Sequence, residues 1–155
     1  MSGHFRVTVW DPALILSQIV CIQSCFYFTF GALLILTALG TGIDVNLFNV
    51  FSHKAVNFGD RAGILTVVCY VLNALAGSVG LWRVVKRTKQ CLDFSVTCYL
   101  IHLLLSSLYN GSFPSSLSWW LLTIAGVTVM CVCGEFLCLR TELKDIPLLG
   151  SKVEL

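Results

Sequence analysis

The chain has 155 residues, of which 57% are hydrophobic and only 12% charged, with a formal net charge of +2. A soluble domain carries about 25% charged residues, so this composition, with a mean hydropathy of +0.86, excludes an ordinary soluble globule and reads as one integral membrane domain. The Lys and Arg residues flank apolar runs and do not share one soluble face, which points to anionic lipid headgroups, not nucleic acid, as the electrostatic partner.

Residues 1–12 form a short polar head with no signal-peptide pattern and no Gly at the second position for myristoylation. Asp11-Pro12 is a helix start, because Asp accepts from free N–H groups and Pro suits the first helical position. Trp10 suits the membrane interface. A first span is predicted over about 13–39, with no charge between Asp11 and Asp44. Ser17, Cys21, Ser24, Phe28 and Gly31 share one face of it, predicted to pack on another helix because small residues let backbones approach.

Gly40-Thr-Gly42 ends that span. Residues 40–61 mix Val45, Leu47, Phe48, Val50, Phe51 and Phe58 with Asp44, His53, Lys54 and Asp60. They read either as an amphipathic segment in the interface or as a loop packed over helix ends. A second span covers about 62–82, with Asn73, Gly77 and Gly80 on one face and Ala76 beside them. Asn in lipid needs a partner, and glycines invite a close neighbour.

The basic turn Arg83-Val-Val-Lys86-Arg87-Thr-Lys89 follows. From Phe94 to Gly134 there is no formal charge, and the run is broken by the turn cluster Asn110-Gly-Ser-Phe-Pro-Ser-Ser116. A third helix is therefore predicted over about 92–109 and a fourth over 117–139, with Trp119 and Trp120 at the interface. The segment 140–155 reads as a charged cytosolic tail, mobile after Pro147.

Four helices put both termini and the basic turn on one side. That side holds Arg6, Arg83, Lys86, Arg87, Lys89, Arg140, Lys144 and Lys152, against Lys54 and Arg61 on the other. The positive-inside rule makes the first side cytosolic. The sequon Asn110-Gly-Ser112 is then lumenal but in a tight turn against the membrane, and the final Lys-Val-Glu-Leu, which resembles a lumenal retrieval signal, lies on the wrong side to serve as one.

Intramembrane polar groups are the default functional candidates. His102 lies mid-way along the third helix on the face of Cys98, Ser106 and Tyr109, and reads as a neutral imidazole hydrogen-bonded to a neighbouring helix. A proton relay would need a second ionisable group within reach. Asp93, nine positions earlier and so about 13 Å away along the axis, sits at the edge, where it can cap the third helix. Glu135, near the end of the fourth helix, is placed to pair with Arg83 or Lys86. The eight cysteines show no Cys-x-x-Cys spacing and read mainly as small packing residues, with Cys91 and Cys138 near membrane edges as candidate acylation positions. No nucleophile–base pair, phosphate loop or metal spacing stands out, so neither an enzyme nor a cofactor is expected. What remains is a cytosolic docking surface made of Arg83, Lys86, Arg87, Lys89, Gln90, Asp93, Arg140, Glu142 and Lys144, with Asn73, His102 and Glu135 as intramembrane polar contacts.

Several motifs, in order along nearly the whole chain, carry a family resemblance: Trp10-Asp-Pro with Ile15-Leu-Ser-Gln-Ile19, Leu72-Asn-Ala-Leu75, Lys89-Gln-Cys-Leu-Asp-Phe94, Phe113-Pro-Ser with Trp119-Trp120, Gly134-Glu135, and Arg140-Thr-Glu-Leu-Lys-Asp-Ile-Pro147. With these the sequence resembles the Sys-one family of Golgi trafficking proteins. The resemblance does not extend to residues 40–61 or to the last eight. It implies a non-enzymatic, multi-pass protein of the trans-Golgi membrane. Such a protein acts in protein transport as receptor for an Arf-related small GTPase that is N-terminally acetylated and GTP-bound. It assigns no contact residue. Read from the residues alone, a small transporter or channel subunit lined by His102 and Asn73, or a cargo-sorting membrane adaptor, stands as the alternative.

Overall fold

In a computed structural model of the chain, residues 11–150 are described, with side chains to Lys144. The expectations placed on residues 1–10, Trp10 and Arg6 among them, and on the final Lys-Val-Glu-Leu lie outside these. The fold is all-α: α1 (Pro12–Thr41), a short α2 (Leu47–Phe51), α3 (Arg61–Val84), α4 (Cys91–Asn110) and α5 (Leu117–Gly150). Four of the five are long and apolar enough to cross a membrane.

Helix α1 starts where the sequence asks it to. Asp11 accepts from the N–H groups of Ala13 at 3.1 Å and Leu14 at 3.3 Å, with Pro12 as the first helical residue. It ends at Gly42, whose φ of 70° is the left-handed conformation glycine adopts without strain and whose N–H reaches Ala38 O. Gln18 Nε2 donates to Val84 O, and Thr37 Oγ1 lies 3.7 Å from Cys69 Sγ, so α1 and α3 run antiparallel. The basic turn and the start of α1 therefore share one end of the bundle. Helix α3 packs between α1 and α5, and α4 closes the bundle against α5 and α1.

The buried face of α1 is not the predicted one. Ile22, Phe26, Phe30 and Leu34, four residues apart, point into the core, while Ser17, Cys21, Ser24 and Phe28 face outward. In lipid an apolar side chain gains nothing from burial as such, so packing decides. Phe26 and Phe30 meet Tyr99 and Tyr70 edge-on at 5.4 Å each. Ser17 and Ser24 satisfy their hydroxyls within the helix, on Leu14 O and Val20 O, and need no neighbour.

On α3 the expected face is packed at Asn73 and Gly77 but not at Gly80. Thr29 Oγ1 of α1 donates to Asn73 Oδ1. A Cβ on Gly77 would lie 3.0 Å from Met130 Sδ of α5, and one on Gly134 of α5 would lie 3.0 Å from Leu81 Cδ1. Gly80 has open space beside it. The loop between α1 and α3 folds over the helix ends, with Ser52, His53, Ala55 and Val56 buried. Asn49 Nδ2 donates to Thr66 Oγ1, and Asn110 Nδ2, the atom a glycan would occupy, donates to Phe51 O.

Two further expectations change. Trp119 is a core residue, 2% exposed, while Trp120 is half-buried and its indole N–H donates to Pro114 O. Arg140 to Lys144 are not a tail: α5 continues beyond the apolar run that predicted it to Gly150. Arg140, Glu142, Leu143 and Lys144 are good helix formers, and Thr141 Oγ1 accepts from Trp82 Nε1 at 2.8 Å, which ties the extension to α3.

Candidate functional site

The basic turn is built from its backbone outward. Helix α3 closes with the N–H groups of Val85 and Lys86 both on Leu81 O, and Lys86 takes a φ of 59°. This is the left-handed position that most often falls to glycine. On a β-carbon residue it costs about 1–2 kcal/mol, so something else must hold it. A 3₁₀ turn, Thr88–Gln90, follows and leads into Cys91 at the start of α4. The carboxylate of Glu142, one turn beyond Cys138 on α5, accepts from Thr88 N at 3.3 Å and Thr88 Oγ1 at 3.0 Å. Together with the Trp82–Thr141 bond it clamps the turn on both sides.

The clamp leaves Arg83, Lys86, Arg87 and Lys89 exposed. Two clefts flank Glu142. One, of about 370 Å³, is lined by Arg87, Thr88, Lys89, Gln90 and Glu142. The other, of about 300 Å³, is lined by Trp82, Arg83, Lys86, Cys138, Thr141 and Glu142. The guanidinium of Arg83 lies 5.2 Å from the centre of the Trp82 ring, a cation–π distance. The turn thus presents cations beside an aromatic wall.

The remaining predicted residues separate. Asp93 is exposed in the first turn of α4 and makes no capping bond; Gln90 holds the cap position. Its charge there suits the helix dipole. Asp93 and Gln90 line a smaller groove, about 160 Å³, between α1 and α4, with Ile15, Ile19, Phe94 and Thr97. Arg140 and Lys144 are exposed. Each is two residues from Glu142, so they lie on the opposite face of α5 from the clamp. Glu135 is half-buried and accepts from Cys131 Sγ of its own helix at 3.4 Å, where pairing with Arg83 or Lys86 was expected. Cys91 and Cys138 are buried with their sulfurs 3.7 Å apart, so neither presents a thiol for acylation.

Deeper in the bundle, His102 and Asn73 are both 0% exposed. His102 Nδ1 shares a 3.0 Å hydrogen bond with Tyr27 Oη of α1, its donor set by the imidazole tautomer. The rings of Phe26, Tyr27, Phe51, Tyr70 and Trp119 surround it at centroid distances of 5.8 to 6.4 Å. The imidazole is sealed in an aromatic cage, and among the described residues both side chains are closed off from the surface. Sequence reasoning found His102 but missed the cage, whose members come from α1, α2, α3 and α5. It also missed Trp82, Thr88 and Thr141, which hold the turn. No sequence signal marks them, because their partners are more than fifty residues away.

The sequence profile of a family described as "Integral membrane protein S linking to the trans Golgi network" matches residues 5–148. The chain belongs to this SYS1 family. Among similar proteins, a SYS1 homolog of Nematostella vectensis is 42% identical over 146 residues, covering 94% of this chain and 92% of the relative. A SYS1 homolog of Dictyostelium discoideum is 34% identical over 148 residues, covering 96% of this chain and 63% of that longer relative. No solved structure matches the chain. The four-helix membrane fold and the family agree with the motif resemblance, and the family description names a membrane protein linked to a compartment, not a reaction.

Proposed function

We propose that this SYS1-family protein is a receptor in the trans-Golgi membrane that recruits an Arf-related small GTPase, N-terminally acetylated and GTP-bound, with the basic turn as its docking surface. On this reading the turn and both termini face the cytosol, as the charge asymmetry requires. A GTPase that inserts one amphipathic N-terminal segment into the leaflet is held only marginally, and stable residence takes a second signal. The receptor supplies it. Arg83, Lys86, Arg87 and Lys89 orient the GTPase body and the anionic lipid around it. The groove of Ile15, Ile19 and Phe94, rimmed by Gln90 and Asp93, takes the acetylated terminus, which has no charge to solvate and an amide to pair.

The observation that carries the reading is the clamp. A cytosolic turn that served only to set topology would need charge and nothing more. This one is held in a left-handed conformation at Lys86 and tied by Glu142 to a helix that outruns its membrane span. A fixed, charged, strained turn fits a surface that must match a partner. The transporter reading has no such support, since His102 and Asn73 are sealed in the core.

The test is binding of the purified full-length protein in nanodiscs to an acetylated Arf-related GTPase loaded with a GTP analogue or with GDP. Retention confined to the GTP form is expected. Equal retention of both forms, or of neither, rejects the receptor reading.

A further inference from the structure

The docking reading makes no use of Cys91 and Cys138. Their sulfurs are 3.7 Å apart, and the residues are 0% and 1% exposed. Both stand at the clamp. Cys91 is the first residue of α4 after the 3₁₀ turn, and its thiol donates to Arg87 O at 3.5 Å. Cys138 lies on α5 one turn before Glu142, and the cleft lined by Trp82, Arg83 and Lys86 opens onto it. Gly134, one turn before Cys138 on α5, lies in van der Waals reach of the same thiol: a Cβ there would sit 3.7 Å from Cys91 Sγ. Other thiols of the bundle are engaged elsewhere, Cys69 with Thr37 and Cys131 with Glu135.

We propose that Cys91 and Cys138 are an oxidisable dithiol, a modification site whose disulfide pins the basic turn to α5. A disulfide bond is about 2.05 Å long, so the sulfurs need to close by about 1.7 Å, a distance within reach of side-chain rotation at both residues. The oxidant is a peroxide, small enough to enter the cleft at Cys138. The sulfur of Cys138 attacks one peroxide oxygen as its proton passes to the other. The O–O bond breaks, and the departing oxygen leaves as water, with Cys138 now a sulfenic acid. The sulfur of Cys91 then attacks the Cys138 sulfur, the S–O bond breaks, and a second water departs with the Cys91 proton. Two thiols and one hydrogen peroxide become one disulfide and two waters. A small dithiol reverses the reaction by thiol–disulfide exchange. On the cytosolic orientation the bond faces a reducing compartment, which makes it a transient mark and not a permanent staple. The chemistry itself does not depend on the docking reading.

The test uses the full-length protein in nanodiscs, titrated with hydrogen peroxide, quenched with catalase, then denatured in SDS and alkylated with N-ethylmaleimide so that buried thiols are reached. Chymotryptic fragments are mapped by mass spectrometry, because no Lys or Arg separates Cys91 from Cys138 for trypsin. The expected result is loss of alkylation at Cys91 and Cys138 together, a linked pair of fragments that dithiothreitol separates, and at least tenfold slower amide exchange over residues 85–90. Cys138→Ser should leave Cys91 alkylated. The wild-type map needs no variant, so a Ser variant that misfolds does not spoil it. Full alkylation of Cys91 and Cys138 while other cysteines oxidise overturns the proposal. So does a linked pair with unchanged exchange in the turn.

Discussion

Asn73 and Lys86 show two ways a single residue shapes this molecule. Asn73 is wholly buried, and its amide oxygen is paired with Thr29 of the neighbouring helix. Interhelical hydrogen bonds in membranes couple by about 0.6 kcal/mol on average and 1.7 at most. A double-mutant cycle of Asn73→Ala and Thr29→Val, followed by unfolding from mixed micelles, should return a coupling energy in that range. A value near zero would mean that the pair is adventitious. Lys86 carries the opposite sign. Its left-handed backbone suits glycine, so Lys86→Gly should raise the stability of the folded protein by about 1 kcal/mol. If it also weakens GTPase binding, the lysine is kept for its charge and the strain is tolerated for function. A destabilised Lys86→Gly variant would show that the side chain, and not the conformation, holds the turn.

At the scale of the helices, close approach is confined to the sides that face the core. A Cβ on Gly126 of α5 would stand 2.6 Å from Tyr99 Oη, whereas one on Gly31 of α1 would meet nothing within 4 Å. Gly126→Ala should therefore cost about 1–3 kcal/mol by overpacking α4 against α5, and Gly31→Ala should lie within about 0.5 kcal/mol of wild type. Equal losses at the two positions, read by thermal unfolding in detergent, would contradict the packing described. The same contrast explains how far the sequence could be read. Helix positions followed from charge-free runs and turn residues, because in a bilayer a spanning backbone must satisfy itself as a helix. The Asn73 and Gly77 face could be read as well, because polarity and missing side chains both demand a neighbour. The face of α1 could not, since its residues are apolar almost all round and only the shapes of Tyr70 and Tyr99 select Phe26 and Phe30. The extension of α5 was hidden for a related reason: hydropathy ends at the apolar run, while the helix is carried on by the Trp82–Thr141 and Thr88–Glu142 bonds.

As a whole the molecule is asymmetric along its bundle axis. At one end α2 and its loop fold over the helices, with Asn49 and Asn110 tying the loop to α3 and α4. At the other, α5 runs past the bundle and holds a cationic turn in a fixed shape. The charges of the candidate site were therefore legible and its supports were not. Arg83, Lys86, Arg87 and Lys89 could be picked from composition, while Arg140 and Lys144 belong to the far face of α5. The fold and the SYS1 family account for a membrane protein linked to the trans Golgi network, and the clamped turn is the surface with which we propose that it holds a GTPase. The most direct measurement replaces Arg83, Lys86 and Arg87 with Glu in cells and follows this protein and the proposed GTPase partner by fluorescence. Like charges set against each other across an interface cost several kcal/mol, so on the docking proposal three reversals should lower the Golgi-bound fraction of the GTPase at least tenfold while the SYS1-family protein stays in place. A GTPase that remains fully on Golgi membranes around a correctly placed triple variant would contradict the account and reduce the turn to a topology signal.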